Sequence, residues 1–458
     1  MQIKKNSVNK NLTIFLFAHL LIWTLIPSIS NNNLPLDTIE ALAWSSELNW
    51  GYNKHPPLSA FFVEIFYQIF GTQDWAYYFL SQLFVVIAFF VVFKFSEDFF
   101  NNKIYSFISV LLLEGIYFYN FTTPEFNVNV CQLPFWALTV YFCWKGIKQN
   151  DNYSWLLFGL FAALGILSKY LFIYLLLAID LFFIYLIVKN KFNFRCFISL
   201  VSFFTVLSFH FVWLMDNDFV TFTYAFHRTG IEQNTFLDHF SNPLIFLSKQ
   251  LAILFPFFIL FFFVLKKFKT KLNFKDKKFI FLFIINFVPI ILMFLTSAIF
   301  GAKIRTMWMT PFYLFIGVFF IYIFQKKIIL KKLKKFILAF LILFFISPAS
   351  YFYISITESN KRTDYPGKAI AHTVQEKWTK NFSNTINIIG GDEWHGGNLS
   401  YHLKSRPKWD NIFENKNMNY NTEDGFIFIG NKNILQNICN GLFFEVNLQG
   451  VCMIGKKK

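Results

Sequence analysis

One segment near the N-terminus combines acidic, basic, aromatic and proline residues at spacings that suit acid–base chemistry on an anion. Asp37 and Glu40 are three residues apart, so on a helix they would share one face. Lys54 and His55 follow, directly before the rigid pair Pro56-Pro57. A carboxylate beside such cations can bracket an anionic head group and an acceptor hydroxyl. On composition alone, a solvated acidic helix turn and a loop-shaping proline pair explain the same residues.

The rest of the chain indicates where this segment lies. Hydrophobic residues make up 55% of the 458 residues, and phenylalanine alone supplies 68. A soluble protein of this size could not bury so much apolar surface in one core. The apolar residues instead form blocks near the length that crosses about 30 Å of hydrocarbon. The sequence therefore predicts a mostly α, polytopic membrane bundle of about eleven transmembrane helices.

The predicted spans begin with a helix that follows a basic N-terminus and is read as retained rather than cleaved. They cover residues 12–29, 76–96, 104–121, 129–146, 154–167, 171–188, 196–216, 244–265, 278–299, 307–325 and 336–354. The stretch 154–188 could be one long helix. Two short helices that turn at Lys169 are favoured, because only then do the later basic loops fall on the cytoplasmic side.

The basic residues indicate the orientation of the bundle. The formal net charge is +16, and this topology assigns 23 of the 42 Lys and Arg residues to the cytoplasmic side. This is the positive-inside pattern, with a cytoplasmic N-terminus. Most of the basic excess is thus explained by topology, and nucleic-acid binding is not predicted.

Two domains are predicted. Residues 1–355 form the transmembrane domain, with a long first outer loop at 31–75, and residues 356–458 form a small α/β domain outside the cytoplasm. In the second domain, short β-like runs at 386–390, 425–430 and 442–446 alternate with Gly and Asn. Cys439 and Cys452 both lie there, and either a disulfide or two small buried residues fits the sequence.

The ordered set of motifs resembles the bacterial C-type glycosyltransferases, relatives of the protein O-mannosyltransferases and of the lipid A aminoarabinose transferase. The matching pieces run from Asp37 to Trp44, Trp50 to Tyr52, Lys54 to Leu58, Gly71 to Trp75, Thr123 to Asn127, Leu167 to Tyr170, His210 to Asn217, Arg305 to Pro311, Arg362 to Gly367 and Gly391 to Trp409. Two positions depart from the family. Many members have Asp-Glu where this chain has Asp37-Thr38, and the aminoarabinose branch has lysine where this chain has His55.

The resemblance implies a C-type fold and a glycosyltransferase that uses a sugar on a polyprenyl phosphate carrier. It implies a bacterial inner-membrane location, a periplasmic active site and C-terminal domain, and inversion at the anomeric carbon. The acceptor stays open among lipid A, the lipopolysaccharide core, another glycan and a protein, and an envelope glycolipid is favoured. The sugar, hexose or aminosugar, stays open.

The same resemblance suggests roles for individual residues. Asp37 is the candidate general base, and Glu125 is the second carboxylate, for binding the acceptor or positioning a divalent metal ion. The candidates for the donor phosphate are the cations Lys54, His55, Lys169, Arg228 and Arg305. The candidates for other substrate contacts are Glu40, Tyr52, Tyr170, His210 and Trp308.

Simpler interpretations stand beside these. Lys169 could snorkel at a helix end, Arg305 could anchor the membrane interface, and His210 could be a satisfied interhelical histidine. The histidines of the C-terminal domain match no zinc spacing. As a whole, the chain could instead be a transporter or flippase of a lipid-linked saccharide. However, the ionisable residues gather at one face and there is no two-fold repeat, unlike the midplane sites of transporters. A third interpretation is a non-catalytic scaffold whose outer domain is a binding module, in which case Asp37 could be replaced without effect.

Overall fold

The structure is a computed structural model and describes residues 5–230, 234–410 and 422–458. A helical bundle is followed by a small domain with one β-sheet. The helices of the bundle and its loops are α1 (Lys5–Ser30), α2 (Leu36–Ser45), α3 (Leu58–Phe70), α4 (Asp74–Ser96), α5 (Lys103–Leu111), α6 (Val128–Cys131), α7 (Leu133–Gln149), α8 (Asn152–Ser168), α9 (Ile173–Val188), α10 (Ile198–Asp216), α11 (Val220–Thr229), α12 (Asp238–Val264), α13 (Lys277–Phe300), α14 (Ile316–Phe324) and α15 (Leu333–Thr357).

The helices confirm a multi-pass membrane protein. Within the described residues, seven helices are long and apolar enough to cross a bilayer, and a bent pair, residues 306–313 and 316–327, makes an eighth. The fold class, a mostly α membrane bundle with a small sheet domain, is therefore confirmed. The count of eleven spans stays a prediction, because several of the predicted segments are shorter than a full span.

The predicted span 104–121 differs most from the structure. Its α-helix ends at Leu111 and continues as two 3₁₀ segments, Leu112–Gly115 and Tyr117–Tyr119. The Asn120 side-chain amide donates to the Glu114 carbonyl at 2.8 Å, so a side chain replaces a helical backbone bond. A methyl group at Gly115 would lie 2.6 Å from the backbone of Phe257, so α12 approaches here too closely for any larger residue.

The first outer loop contains two helices. In α2, apolar residues such as Ile39 and Leu42 are fully buried, whereas Asp37 and Glu40 are only partly buried. Asp37 occupies the first turn, where a carboxylate interacts favourably with the helix dipole. The Pro56-Pro57 pair directly precedes α3 and fixes where that helix begins.

The C-terminal domain packs three helices on a mixed five-stranded sheet. Its elements are α16 (Gly367–Asn381), β1 (Ile388–Gly390), α17 (His395–His402), β2 (Lys408–Asp410), β3 (Phe426–Asn431), α18 (Lys432–Ile438), β4 (Leu442–Val446) and β5 (Gln449–Ile454). The strand order is β2-β1-β3-β5-β4. β1 pairs in parallel with β2 and β3, and β5 pairs antiparallel with β3 and β4. All three predicted β-runs are strands, and the sequence analysis missed β2 and β5.

A tight turn and a disulfide complete the sheet. Asn447 and Leu448 both have positive φ, which is typical of the two-residue turns that join antiparallel strands. Cys439 and Cys452 form a disulfide that ties the end of α18 to β5. The structure thus favours the disulfide over two separate buried thiols.

Candidate active site

Asp37 and Glu125 lie side by side at the end of the bundle that carries residues 31–75, here called the site end. The backbone N–H of Asp37 donates to Glu125 Oε1 at 3.0 Å, so the Glu125 carboxyl accepts one of the free N–H groups at the start of α2. Glu125 follows Pro124 in a turn, after a 3₁₀ segment. Glu125, which lies 88 residues after Asp37 in the sequence, is therefore bonded to the backbone of Asp37.

Four cations surround Asp37. Burial raises the pKa of Asp37 above its usual range, and the positive charges of Lys169, Lys54, Arg228 and Arg305 act in the opposite direction. All four are among the residues that the sequence analysis assigned to a phosphate. They converge on Asp37 from four separate segments of the chain.

The charges that act most strongly on Glu125 are negative. Burial raises its pKa most, and the negative charges of Asp37 and Glu40 raise it further. When the surroundings move the pKa values of two neighbouring carboxyl groups apart in this way, one group keeps its proton while the other is ionised. The cations place the negative charge on Asp37, the group expected to accept a proton.

Lys54 is held by two carboxylates. Its Nζ lies 3.0 Å from Glu40 Oε1 and 3.0 Å from Glu393 Oε1. Burial acts to lower the pKa of Lys54, but Glu393 and Glu40 outweigh it and raise the pKa overall. The ammonium is therefore charged and fixed in position. Glu393 belongs to the C-terminal domain, and sequence reasoning did not assign it to this site.

His55 lies beside Asp37 but differs from Lys54 in charge. Asp37, Glu40, Trp44 and His55 line the same small cavity. Burial, followed by the neighbouring charges of Lys169 and Lys54, lowers the pKa of His55 to about 3. A neutral imidazole can donate a hydrogen bond but cannot supply charge, which favours Lys54 as the cationic member of the pair.

Lys169 lies in the turn between α8 and α9, as predicted. It is buried, donates to Asn129 Oδ1 at 2.5 Å, and lies 5.3 Å from the centre of the Trp308 ring. Burial lowers the pKa of Lys169 to about 7, partly offset by Asp37 and reinforced by Arg305. Because the Lys169 ammonium loses its proton so readily, the neutral amine would take up a proton again when an anion binds beside it. Its contacts are not those of a lysine reaching toward solvent.

Arg228 and Arg305 are exposed and come from α11 and from the segment before the bent helix pair. In the part of the chain that the structure describes, neither forms an ion pair with a carboxylate. Their guanidinium groups are therefore available to a ligand, and guanidinium binds phosphate with two parallel hydrogen bonds.

The remaining predicted residues, Tyr52, Tyr170 and His210, mainly connect elements of the site. His210 Nδ1 lies 2.5 Å from the Trp50 carbonyl, and His210 Nε2 lies 2.8 Å from the Tyr170 hydroxyl. Both ring nitrogens are thus occupied, which fits a residue that positions the loop against α10. Tyr52 stacks on Trp44 and donates to the Glu47 carbonyl at 3.2 Å, so it holds the loop in shape. Their predicted contacts with substrate stay predictions.

No candidate metal centre emerges from residues 5–230, 234–410 and 422–458, where no three His, Cys, Asp or Glu side chains form a group that could hold an ion. In the C-terminal domain, His395 pairs with Asp392 at 2.8 Å and His372 lies near Glu376 at 3.6 Å. These are separate contacts on different helices.

The C-terminal domain docks directly on the first outer loop. Arg406 Nη2 donates to the Leu42 carbonyl at 2.7 Å, near the end of α2, and lies 3.4 Å from Glu64 Oε2 on α3. The backbone N–H of Trp409 donates to Ser46 Oγ at 2.8 Å. One arginine thus joins both helices of the loop to the domain.

α17 packs against the face of α2 that carries Ile39 and Ala43. A methyl group on Gly397 would lie 3.0 Å from both of these side chains, so a larger residue here would have to displace them. On the other side, Tyr401 donates to Asp74 Oδ1 at 2.7 Å. The domain therefore contacts the loop from α2 through to its end at Asp74.

Sequence reasoning missed Glu393, Arg406 and Asn129 as parts of the site. Glu393 and Arg406 lie more than 300 residues after the loop, and no local pattern marks such a contact. Asn129 is an ordinary amide in an apolar segment. Its only signal was its position two residues after the motif that ends at Asn127.

Comparisons with known proteins concern the fold of the whole chain. The family model for dolichyl-phosphate-mannose-protein mannosyltransferases matches residues 54–215, about a third of the chain. ArnT from Cupriavidus metallidurans, solved with undecaprenyl phosphate, superposes with a TM-score of 0.66 at 10% identity, covering 96% of this chain and 97% of that one. The apo form of the same protein gives 0.62 at 11% identity, covering 97% and 98%. No curated protein is significantly similar to the chain in sequence.

The chain thus shares the fold of this ArnT over nearly its whole length, and residues 54–215 are similar to the dolichyl-phosphate-mannose-protein mannosyltransferases.

Proposed function

We propose that the protein transfers a sugar from a polyprenyl phosphate carrier to a hydroxyl of an envelope glycolipid or glycan, with Asp37 as the general base. The observation that carries this proposal is the carboxylate of Asp37, which adjoins Glu125 and lies under the combined positive charge of Lys54, Lys169, Arg228 and Arg305. A base whose charge is influenced by several phosphate-binding cations suits a reaction that deprotonates one substrate while the other releases a phosphate.

The transfer needs one proton movement and one departing anion. The acceptor oxygen attacks the anomeric carbon, its proton passes to Asp37, and the bond from that carbon to the phosphate oxygen breaks. The leaving group carries away the electron pair as polyprenyl phosphate. Arg228, Arg305, Lys169 and Lys54 would stabilise the negative charge that develops on it. One displacement on the face opposite the leaving group inverts the anomeric centre.

Glu125 would act through its proton. As the protonated member of the pair it can donate a hydrogen bond to the acceptor, while its other oxygen keeps the N–H of Asp37 at the start of α2. Glu40 would hold Lys54 in reach of the phosphate.

A carrier lipid as donor is supported by the structural relative that binds undecaprenyl phosphate. The site lies at one end of the apolar helices, so a lipid phosphate could reach the cations from the bilayer interface. No nucleotide-binding motif occurs in the sequence.

The periplasmic face of a bacterial inner membrane is the proposed location of the site. The basic loops lie at the other end of the bundle, as in cytoplasmic loops. The disulfide between Cys439 and Cys452 lies in the domain that docks at the site end, and disulfides persist in oxidising compartments.

The test compares wild type with Asp37→Asn in membranes of a strain that lacks the gene, scored by mass changes in envelope glycolipids. The matched control is Asp216→Asn, an exposed acid at the same end of the bundle. Wild type and control should add a hexose or aminosugar mass, and Asp37→Asn should lower the rate about 10²- to 10⁴-fold at equal protein level.

Two outcomes would contradict the proposal. Full activity of Asp37→Asn would exclude this base and favour a transporter of a lipid-linked saccharide. If a saccharide mass were added to proteins alone and the glycolipids were unchanged, the protein would still be a transferase, but its acceptor would be a protein.

A further inference from the structure

A second polar cavity lies at the end of the bundle opposite Asp37. It has a volume of about 790 Å³ and opens between the connection from α12 to α13 and the residues that follow α14. Its charged lining consists of Lys267, Lys269, Lys271, Lys326, Lys327 and Asp276. We call these five lysines the basic pocket. α12 alone, with 27 residues, separates this pocket from the site end by about 40 Å.

Backbone hydrogen bonds hold the two walls of the pocket together. Leu265 and Ile328 form an antiparallel bridge. The N–H of Lys266 donates to the Lys327 carbonyl at 3.0 Å, and the N–H of Ile329 donates to the Val264 carbonyl at 3.0 Å. Lysines separated by more than fifty residues in the sequence therefore face one cavity that is fixed by main-chain contacts.

The carboxylate in the pocket lining does not neutralise the charge of its five lysines. Its one carboxylate, Asp276, accepts the Tyr322 hydroxyl at 2.6 Å and the Lys278 N–H at 3.0 Å. In the described residues, none of the five lysines forms an ion pair. Like charges in one cavity repel each other unless an anion shares the space.

Apolar side chains alternate with these lysines along the connection. Phe268 and Phe274 are 63% and 65% exposed, and Leu272 is 49% exposed. Phe268 meets the exposed Phe262 of α12 edge to face, with ring centres 4.9 Å apart. A loop in water would bury such rings, whereas a loop at the membrane surface places them among lipid chains and its lysines at the headgroups.

We propose that the basic pocket binds the phosphate headgroup of an anionic phospholipid, in the leaflet opposite the active site. The lysines supply the charge that recognises phosphate, and the exposed aromatic rim places the ligand at the bilayer surface rather than in solution. The pocket shares no residue with the site around Asp37, so this proposal does not depend on the proposed function.

The test measures phosphatidylglycerol retained by the purified full chain, by native mass spectrometry after washing in high salt to remove loosely attracted lipid. The pocket variant is Lys269→Gln/Lys271→Gln/Lys327→Gln. The control variant, Lys331→Gln/Lys334→Gln/Lys335→Gln, loses the same charge at exposed positions outside the pocket.

Wild type and the control should retain the lipid, and the pocket variant should bind it about 100-fold more weakly, at about fivefold for each lysine. The milder change Lys271→Glu should weaken retention in the same direction, which guards against a folding defect in the triple variant. Equal retention by the pocket and control variants would overturn the proposal. Displacement of the lipid by millimolar inorganic phosphate would overturn the lipid assignment in favour of a soluble phosphate compound.

Discussion

The ammonium of Lys54 lies 3.0 Å from Glu40 in the first outer loop and 3.0 Å from Glu393 in the C-terminal domain. One cation next to Asp37 is thus shared by two parts of the chain that are far apart in sequence. Its position depends on both. This gives the C-terminal domain a specific chemical connection to the proposed reaction, in addition to its packing on α2.

The first prediction concerns Glu393. Glu393→Gln removes one of the two charges that hold Lys54, so we expect the transfer rate to fall about tenfold, within the range for a charged hydrogen-bonding partner. Initial rates in membranes would measure it. Asp392→Asn is the control, because Asp392 pairs with His395 instead.

A double-mutant cycle separates positioning from a general loss of stability. If Glu393 acts through Lys54, then adding Glu393→Gln to Lys54→Met should cause little further loss. Additive losses would show that Glu393 acts elsewhere.

The second prediction is a shift of the acidic limb of the pH–rate profile. Asp37 must be ionised to accept a proton, so the rate should fall as the pH drops through its raised pKa. Lys54 lowers that pKa, so Lys54→Met should raise it and move the limb to higher pH. The profile of kcat/KM measures the shift. Lys408→Met, which removes a cation paired with Glu47, should leave the limb in place.

The third prediction is an alkaline limb caused by Lys169. Its pKa is lowered to about 7 by burial, so the free enzyme loses this charge as the pH rises through that value. Binding of the anionic donor should weaken over the same range. Lys169→Arg keeps its charge at every pH and should remove the limb from kcat/KM, even if the rate is lower. An unchanged alkaline limb in Lys169→Arg would assign it to another group.

The fourth prediction concerns Arg406. Arg406→Met removes the charged donor from the Leu42 carbonyl and from the half-buried Glu64, which keep only the neutral donors Ser45 and Gln68. It also removes the contact between the guanidinium and the Tyr67 ring at 4.2 Å. We expect a loss of about 2–3 kcal/mol in docking stability. The melting temperature in detergent and the transfer rate should both fall. Lys432→Met, which breaks an exposed pair with Glu445, is the matched control and should change neither.

The sequence predicted the membrane bundle and the cluster around Asp37 better than it predicted the contacts between domains. The bundle was predicted from a local signal, the length of the apolar blocks. Lys169 was a second local signal, because it interrupts one of these blocks and charge in hydrocarbon is costly. The cations near Asp37 could be assembled because the resemblance supplied their common role. The predicted topology then placed these cations at the same end of the bundle as Asp37.

The contacts of Glu393 and Arg406 could not be predicted in this way. They depend on how the last domain sits on the first loop, and a single sequence carries no pattern for that docking. The broken helix after Leu111 was missed for a related reason. Its apolar composition matches a span, but the side chain of Asn120 and the close approach of α12 at Gly115 change the backbone path.

The docking of the C-terminal domain also sets an order in the biogenesis of the protein. A ribosome makes residues 31–75 long before it makes Glu393 and Arg406. During that interval, Lys54 has only one of its two carboxylates, and the end of α2 lacks the arginine that holds it. A nascent chain released before residue 393 would therefore be inserted but incomplete. If the domain is periplasmic, as proposed, the transfer activity would be gained only after the segment with Glu393 and Arg406 has crossed the membrane.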